Sequence, residues 1–173
     1  MSKYDFKEIE NTDFFLLWDY GCWCDITHCH VPGLSVDFIP AELFAGMLNH
    51  RIYRRGYIGS SEDTYTSHGP FEIYKLKPGD FVEISFDEWI GYIHARYADT
   101  EDFLGPPNKD QVEAVDDFIN QLSKEGLRYF RLAVDHEDPD YHHELWTFHD
   151  FFDEYILVNS QQESMWIIVL GYD

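Results

Sequence analysis

The sequence predicts an α+β fold: a mainly antiparallel sheet of hairpins with about three helices. Three observations predict it. Strand-like segments run into turn signals and then into further strands. Three segments carry helical apolar periodicity. No regular strand–helix alternation of the kind that builds a doubly wound parallel sheet is present. At 173 residues the chain suits one domain, and no repeat, low-complexity tract or Pro/Gly/Ser-rich linker divides it.

The elements follow in order. Residues 14–19 are an apolar strand candidate. A first helix is expected over 40–55, because Pro40 suits the first helical position and Phe44, Met47, Leu48 and Ile52 recur at three- and four-residue steps. Arg51, Arg54 and Arg55 would then sit where the helix dipole favours cations, and Gly56 can close the helix. Residues 71–77 and 81–85 flank Pro78-Gly79 and read as a hairpin with a type II turn. A second helix is expected over 86–97, since Ser85-x-x-Glu88 has capping-box spacing and Trp89, Ile90, Ile93 and Tyr97 make a stripe. Gly91 in its interior costs about 1 kcal/mol relative to Ala. A third helix spans 109–124, capped by Asn108, with Val112, Val115, Phe118, Ile119 and Leu122 facing inward and Gly126 stopping it. Residues 127–134 alternate as a strand, with Phe130, Leu132 and Val134 on one face and Tyr129 and Arg131 on the other. Residues 155–158 and 165–172 flank the polar stretch 159–164 and form a C-terminal hairpin.

Charge narrows the function. Twelve Lys and Arg stand against 33 Asp and Glu, for a formal charge of −21, and aromatic residues make up 18% of the chain. A disordered acidic tail lacks the aromatics needed to offset chain entropy, so the composition belongs to a folded body. Direct nucleic-acid binding needs Lys and Arg on phosphates, which a strongly negative body opposes. The strongest apolar run, 165–170, is far short of the roughly 20 residues that cross a bilayer. The first ten residues contain no apolar signal core, so a cytoplasmic location is expected. No cofactor is expected.

The charge is also uneven. From Leu132 to the C-terminus there is no Lys or Arg but ten carboxylates, and 8–50 likewise carries seven carboxylates and no Lys or Arg. A solvated acidic surface accounts for part of this. Unpaired carboxylates also repel one another, and a cationic partner relieves that repulsion and speeds encounter. The partner-binding candidates are Asp135, Glu137, Asp138, Asp140 and Glu144, with Tyr141 and Trp146 as aromatic anchors.

In size, acidity and aromatic content, taken over the whole chain, the protein resembles bacterial immunity proteins, the cytosolic antidotes to toxins of contact-dependent and other interbacterial competition systems. The resemblance transfers no functional residue. It implies a cognate protein toxin that is bound and neutralised, and the charge points to a basic, nuclease-type toxin.

Two other readings compete. The segment 22–30 brings Cys22, Cys24, Cys29 and His30 close in sequence, and thiolate with imidazole suits zinc. Cys-x-Cys places two sulfurs on one side of a strand, but the spacing is not that of a common structural zinc site. Three cysteines within eight residues also make a poor disulfide framework. A second His/acid cluster covers His136, Glu137, Asp138, His142, His143, Glu144, His149 and Asp150. It lacks the His-Glu-x-x-His spacing of a helical metal site. These segments carry the alternative of a zinc-binding or metal-dependent enzyme. The third reading is a DNA-mimicking inhibitor. No nucleophile elbow or phosphate loop is present, and Lys77-Pro-Gly-Asp80 reads as only a turn.

Overall fold

The computed structural model describes residues 3–16, 22–55, 66–98, 108–122, 125–142 and 151–172. Among these, eight strands and three α-helices occur in the order β1 (Lys7–Phe15), β2 (Cys22–His30), α1 (Pro40–Leu48), β3 (Ser67–His68), β4 (Phe71–Glu72), β5 (Phe81–Ile84), α2 (Phe86–Ala98), α3 (Lys109–Gln121), β6 (Leu127–Leu132), β7 (Phe151–Asn159) and β8 (Ser164–Tyr172). Six strands form one antiparallel sheet in the order β1-β2-β8-β7-β6-β5, and β3 pairs with β4 alone. The α+β, antiparallel expectation therefore holds.

The sheet carries a core on each face, and strand alternation assigns residues to them. Met165, Ile167 and Val169 of β8 join Phe44 and Met47 of α1 and Phe130 of β6. Trp166, Ile168 and Leu170 join Trp89 and Ile93 of α2 and Val115 and Ile119 of α3. The central strands β7 and β8 are buried along their whole length. That is why β8 reads as an unbroken apolar run rather than an alternation. Each fully buried large apolar side chain contributes about 1.5–3 kcal/mol.

The capping box of α2 forms as expected. The Ser85 N–H donates to Glu88 Oε2 at 2.7 Å and the Glu88 N–H donates to Ser85 Oγ at 3.2 Å. The α3 cap is different: Asn108 makes no side-chain cap bond, and its N–H donates to Leu16 O at 2.8 Å. The first helix is shorter than its periodicity suggests. It ends at Leu48, where Asn49 Nδ2 donates to Ala45 O at 2.7 Å. His50 then turns extended and accepts the Ile52 N–H on its ring. Arg51, Arg54 and Arg55 thus lie beyond the helix, and Gly56 lies outside the described residues.

The expected hairpin around Pro78-Gly79 does not form. Asp80 accepts the Lys77 N–H at 2.7 Å and returns its own N–H to Lys77 O at 2.9 Å, so Pro78–Asp80 coils into a 3₁₀ turn. Gly79 lacks the positive φ that a type II turn requires. β5 pairs instead with β6, Phe81 opposite Leu132. The first strand begins at Lys7, well before the expected 14–19, of which residues 17–19 lie outside the described residues. β1 is an edge strand, and its Glu8, Glu10 and Asp13 supply the charge that discourages edge-to-edge pairing while masking the strand pattern. β7 starts four residues earlier than expected, because Asp153 and Glu154 interrupt its apolar pattern yet are buried.

Gly69 takes a left-handed φ of +52°, and a Cβ there would lie 2.3 Å from Phe152 Cε2. Gly69→Ala should lose about 3 kcal/mol, combining left-handed backbone strain and overpacking. Urea denaturation measures it. A loss below about 1 kcal/mol would mean that the Phe152 ring moves aside freely.

Candidate functional site

The acidic segment after β6 is a built turn. Ala133 donates its N–H to Asp80 O at 2.8 Å, and Asp138 donates to Asp135 O at 3.0 Å. Asp135 Oδ1 accepts the Glu137 N–H at 3.0 Å, and Asp138 Oδ1 accepts the Asp140 N–H at 2.9 Å. These are Asx turns, a role that short carboxylates perform well. The Tyr141 and His142 N–H groups both reach Asp138 O, and Tyr141 O accepts the Glu72 N–H at 3.0 Å. The turn is therefore pinned to β4, with His142 bridging Phe71.

Tyr141 is half-buried against the α1-side core, and its hydroxyl lies 3.5 Å from Asp80 Oδ1. Asp80, then burial, then Asp138 and Asp140 push the Tyr141 hydroxyl above its usual range. Five carboxylates thus share this region: Asp80, Asp135, Glu137, Asp138 and Asp140. Asp135, Glu137 and Asp140 are exposed and Asp138 is half-exposed. Among the described residues, no Lys or Arg nitrogen lies within 4 Å of Glu137, Asp138 or Asp140. Sequence reasoning missed Asp80, because 55 residues separate it from Asp135. Glu144 and Trp146 lie outside the described residues.

Other acids of the same stretch are committed to partners within the fold. Asp153 is 6% exposed and is held by Arg96 and Arg131. Glu163 Oε1 accepts the Gly33 N–H at 2.8 Å. Negative charge also lines other surfaces, with Asp110, Glu113 and Asp117 exposed on α3 and Asp87 and Glu88 exposed on α2.

Beneath the surface lies a second ionisable group. Glu154 Oε2 accepts from His68 Nε2 at 2.8 Å and from Tyr53 Oη at 3.0 Å. Both His68 and Glu154 side chains have no solvent exposure. His68 Nδ1 faces Tyr53 O at 2.5 Å. A carbonyl only accepts, so Nδ1 carries a proton, and one further proton is shared between Nε2 and the carboxyl. The Tyr53 ring stacks on His68 at 3.7 Å.

Nearby, Asp13 and Asp25 face each other across β1 and β2. Asp25 accepts from Asn11 Nδ2 at 2.8 Å and Thr27 Oγ1 at 3.2 Å. Burial and the bond to Asp13 push its carboxyl up to about 6, against the pull of Asn11 and Arg55. The folded state therefore binds a proton that the unfolded chain releases near pH 4. This contribution is full below pH 4 and is lost as pH rises through about 6, at most about 3 kcal/mol. Asp25→Asn should remove that decline. Urea midpoints of both proteins at pH 4, 5, 6 and 7 test it, and parallel curves would overturn the assignment.

The cysteines divide between the faces of β2. Cys22 and Cys24 point to the α2/α3 core and Cys29 to the α1 core, and all three are buried free thiols. Burial raises Cys24 and pushes Cys29 up to about 12. His30 sits at the far end of the strand, 3.1 Å from Glu163 O. The four candidate ligands Cys22, Cys24, Cys29 and His30 thus do not converge, because strand alternation sends Cys29 away. His143 and His149 lie outside the described residues. Among the described residues, no three or more His, Cys, Asp or Glu are placed to share a metal ion.

Among the described residues lie open grooves of about 350, 450 and 500 Å³. One lies beside Arg51, Arg54 and Arg55. Arg55 is already committed to Glu8 at 2.7 Å and Asp25 at 3.7 Å, which makes it the intramolecular counterion of the acidic edge. None of the three is lined by His68 or Glu154. Among the described residues, no helix is long and apolar enough to cross a membrane. No protein-family model, curated protein or solved structure matches the chain.

Proposed function

We propose that this chain is a binding protein that captures and neutralises a basic protein, in the manner of an immunity protein acting on a nuclease-type toxin. The observation that supports the reading most is the turn around Tyr141. Asp80, Asp138 and Asp140 act on one half-buried aromatic ring there, Asp135 and Glu137 belong to the same turn, and Glu137, Asp138 and Asp140 have no Lys or Arg partner within 4 Å among the described residues. Asx turns and the link to β4 hold the surface rigid, which limits the ordering cost of binding. Complementary charge then raises the encounter rate.

Co-expression with the products of the reading frames beside its gene tests this. One basic product should arrest growth alone, be harmless beside this chain, and co-purify with it as a stoichiometric complex. Absence of any such product overturns the reading. If duplex DNA and unrelated DNA-binding proteins compete equally for this surface, a DNA mimic replaces the cognate partner.

A further inference from the structure

A second feature of partner chemistry lies on the opposite face of the sheet, in the groove of about 350 Å³ between β1 and the end of α3. Strand alternation builds its floor. Glu10 pairs in register with His28, and His28 pairs with Trp166. All three face α3. The His28 ring stacks on Trp166 at 4.6 Å and 8°, and its Nε2 lies 3.3 Å from Ser164 Oγ. Phe14 adds another ring from β1, and Phe118 and Leu122 close the wall from α3.

Among the described residues, the charge lining this groove has one sign. Glu10 is exposed, and among the described residues no Lys or Arg lines the groove. Helix α3 ends at Gln121, so its carbonyl end, carrying partial negative charge, is turned toward the same place. Burial lowers the His28 imidazole below its usual value despite Glu10, leaving it neutral at pH 7 and adding no positive charge. Aromatic faces with a carboxylate at the rim form a site for an alkyl-borne cation, since the ring faces are negative and the stem finds apolar contact.

We propose that this groove receives an arginine side chain of the basic protein partner, its guanidinium on Glu10 and its stem against Phe14, Phe118 and Trp166. The inference rests on the reading of the chain as a binder of a basic protein. It adds a second contact, on the face opposite the Tyr141 turn.

The probe is N-acetylarginine amide, with N-acetylcitrulline amide as its neutral isostere. The readout is the Trp166 indole N–H resonance, assigned with Trp166→Phe. The arginine probe should shift it saturably, half-maximally on the order of 10 mM. The citrulline probe should shift it little, and Glu10→Gln should weaken arginine about fivefold. Equal shifts from both probes, no shift at 100 mM, or an unchanged response in Glu10→Gln overturns the cation site. In complex with a basic partner, Glu10→Gln should speed dissociation about fivefold. An unchanged dissociation rate overturns the groove as a docking point while leaving the Tyr141 surface intact. If no basic partner exists, the functional reading fails, and the arginine titration still decides whether the groove takes a cation.

Discussion

His68→Ala should destabilise the protein by about 3–5 kcal/mol, the cost of breaking a fully buried, hydrogen-bonded imidazole–carboxyl pair. The substitution leaves the Glu154 carboxyl with the Tyr53 hydroxyl but without its imidazole donor. Among the described residues, its Oε1 has no hydrogen-bond partner even in the intact protein, so nothing is spare to take up the loss. Domain stabilities run about 5–15 kcal/mol, so the variant should lose a large fraction of the total. Urea denaturation gives the value. The double replacement His68→Leu with Glu154→Met removes both polar partners and keeps volume, and should cost less than His68→Ala alone. If the double variant is the less stable, packing around Tyr53 and Phe152, and not the pair, holds this region.

Neutralising Glu137 and Asp140 together, as Glu137→Gln with Asp140→Asn, should slow association with a basic partner by roughly tenfold at low salt, and the salt dependence of the on-rate should flatten. Both side chains are exposed, so folding should be unchanged within about 0.5 kcal/mol. Asp135 and Asp138 make poorer test positions. Their carboxylates accept main-chain N–H groups, and removing them should cost about 1 kcal/mol of turn stability as well. Asp80, the residue that folding brings to the patch, is a poorer test position for the same reason, since its carboxylate accepts the Lys77 N–H. Stopped-flow association at several ionic strengths reads the effect, and unchanged rates would remove the Tyr141 surface from the account.

Much of the fold was legible in local chemistry. The Ser85–Glu88 box, the α3 stripe and the C-terminal hairpin each depend on residues a few positions apart, so their spacing alone carries them. The failures share one cause. Asp153 and Glu154 look like surface charge because their partners Arg96, Arg131 and His68 are distant in sequence. The segment 71–85 looked like a hairpin because nothing local shows that β6 is the true partner of β5. Of the expected acidic surface, Asp135, Glu137, Asp138, Asp140 and Tyr141 are brought together, while Asp80 joins only through the fold.

The sequence by itself determined the class of fold, the strong negative charge and the Ser85–Glu88 capping box, since these follow from composition and from contacts within a turn. Only the tertiary structure decided which carboxylates face water and which are buried beside His68 or between Arg96 and Arg131. Ionic interactions are set by distance and local dielectric, and both depend on which strands become neighbours.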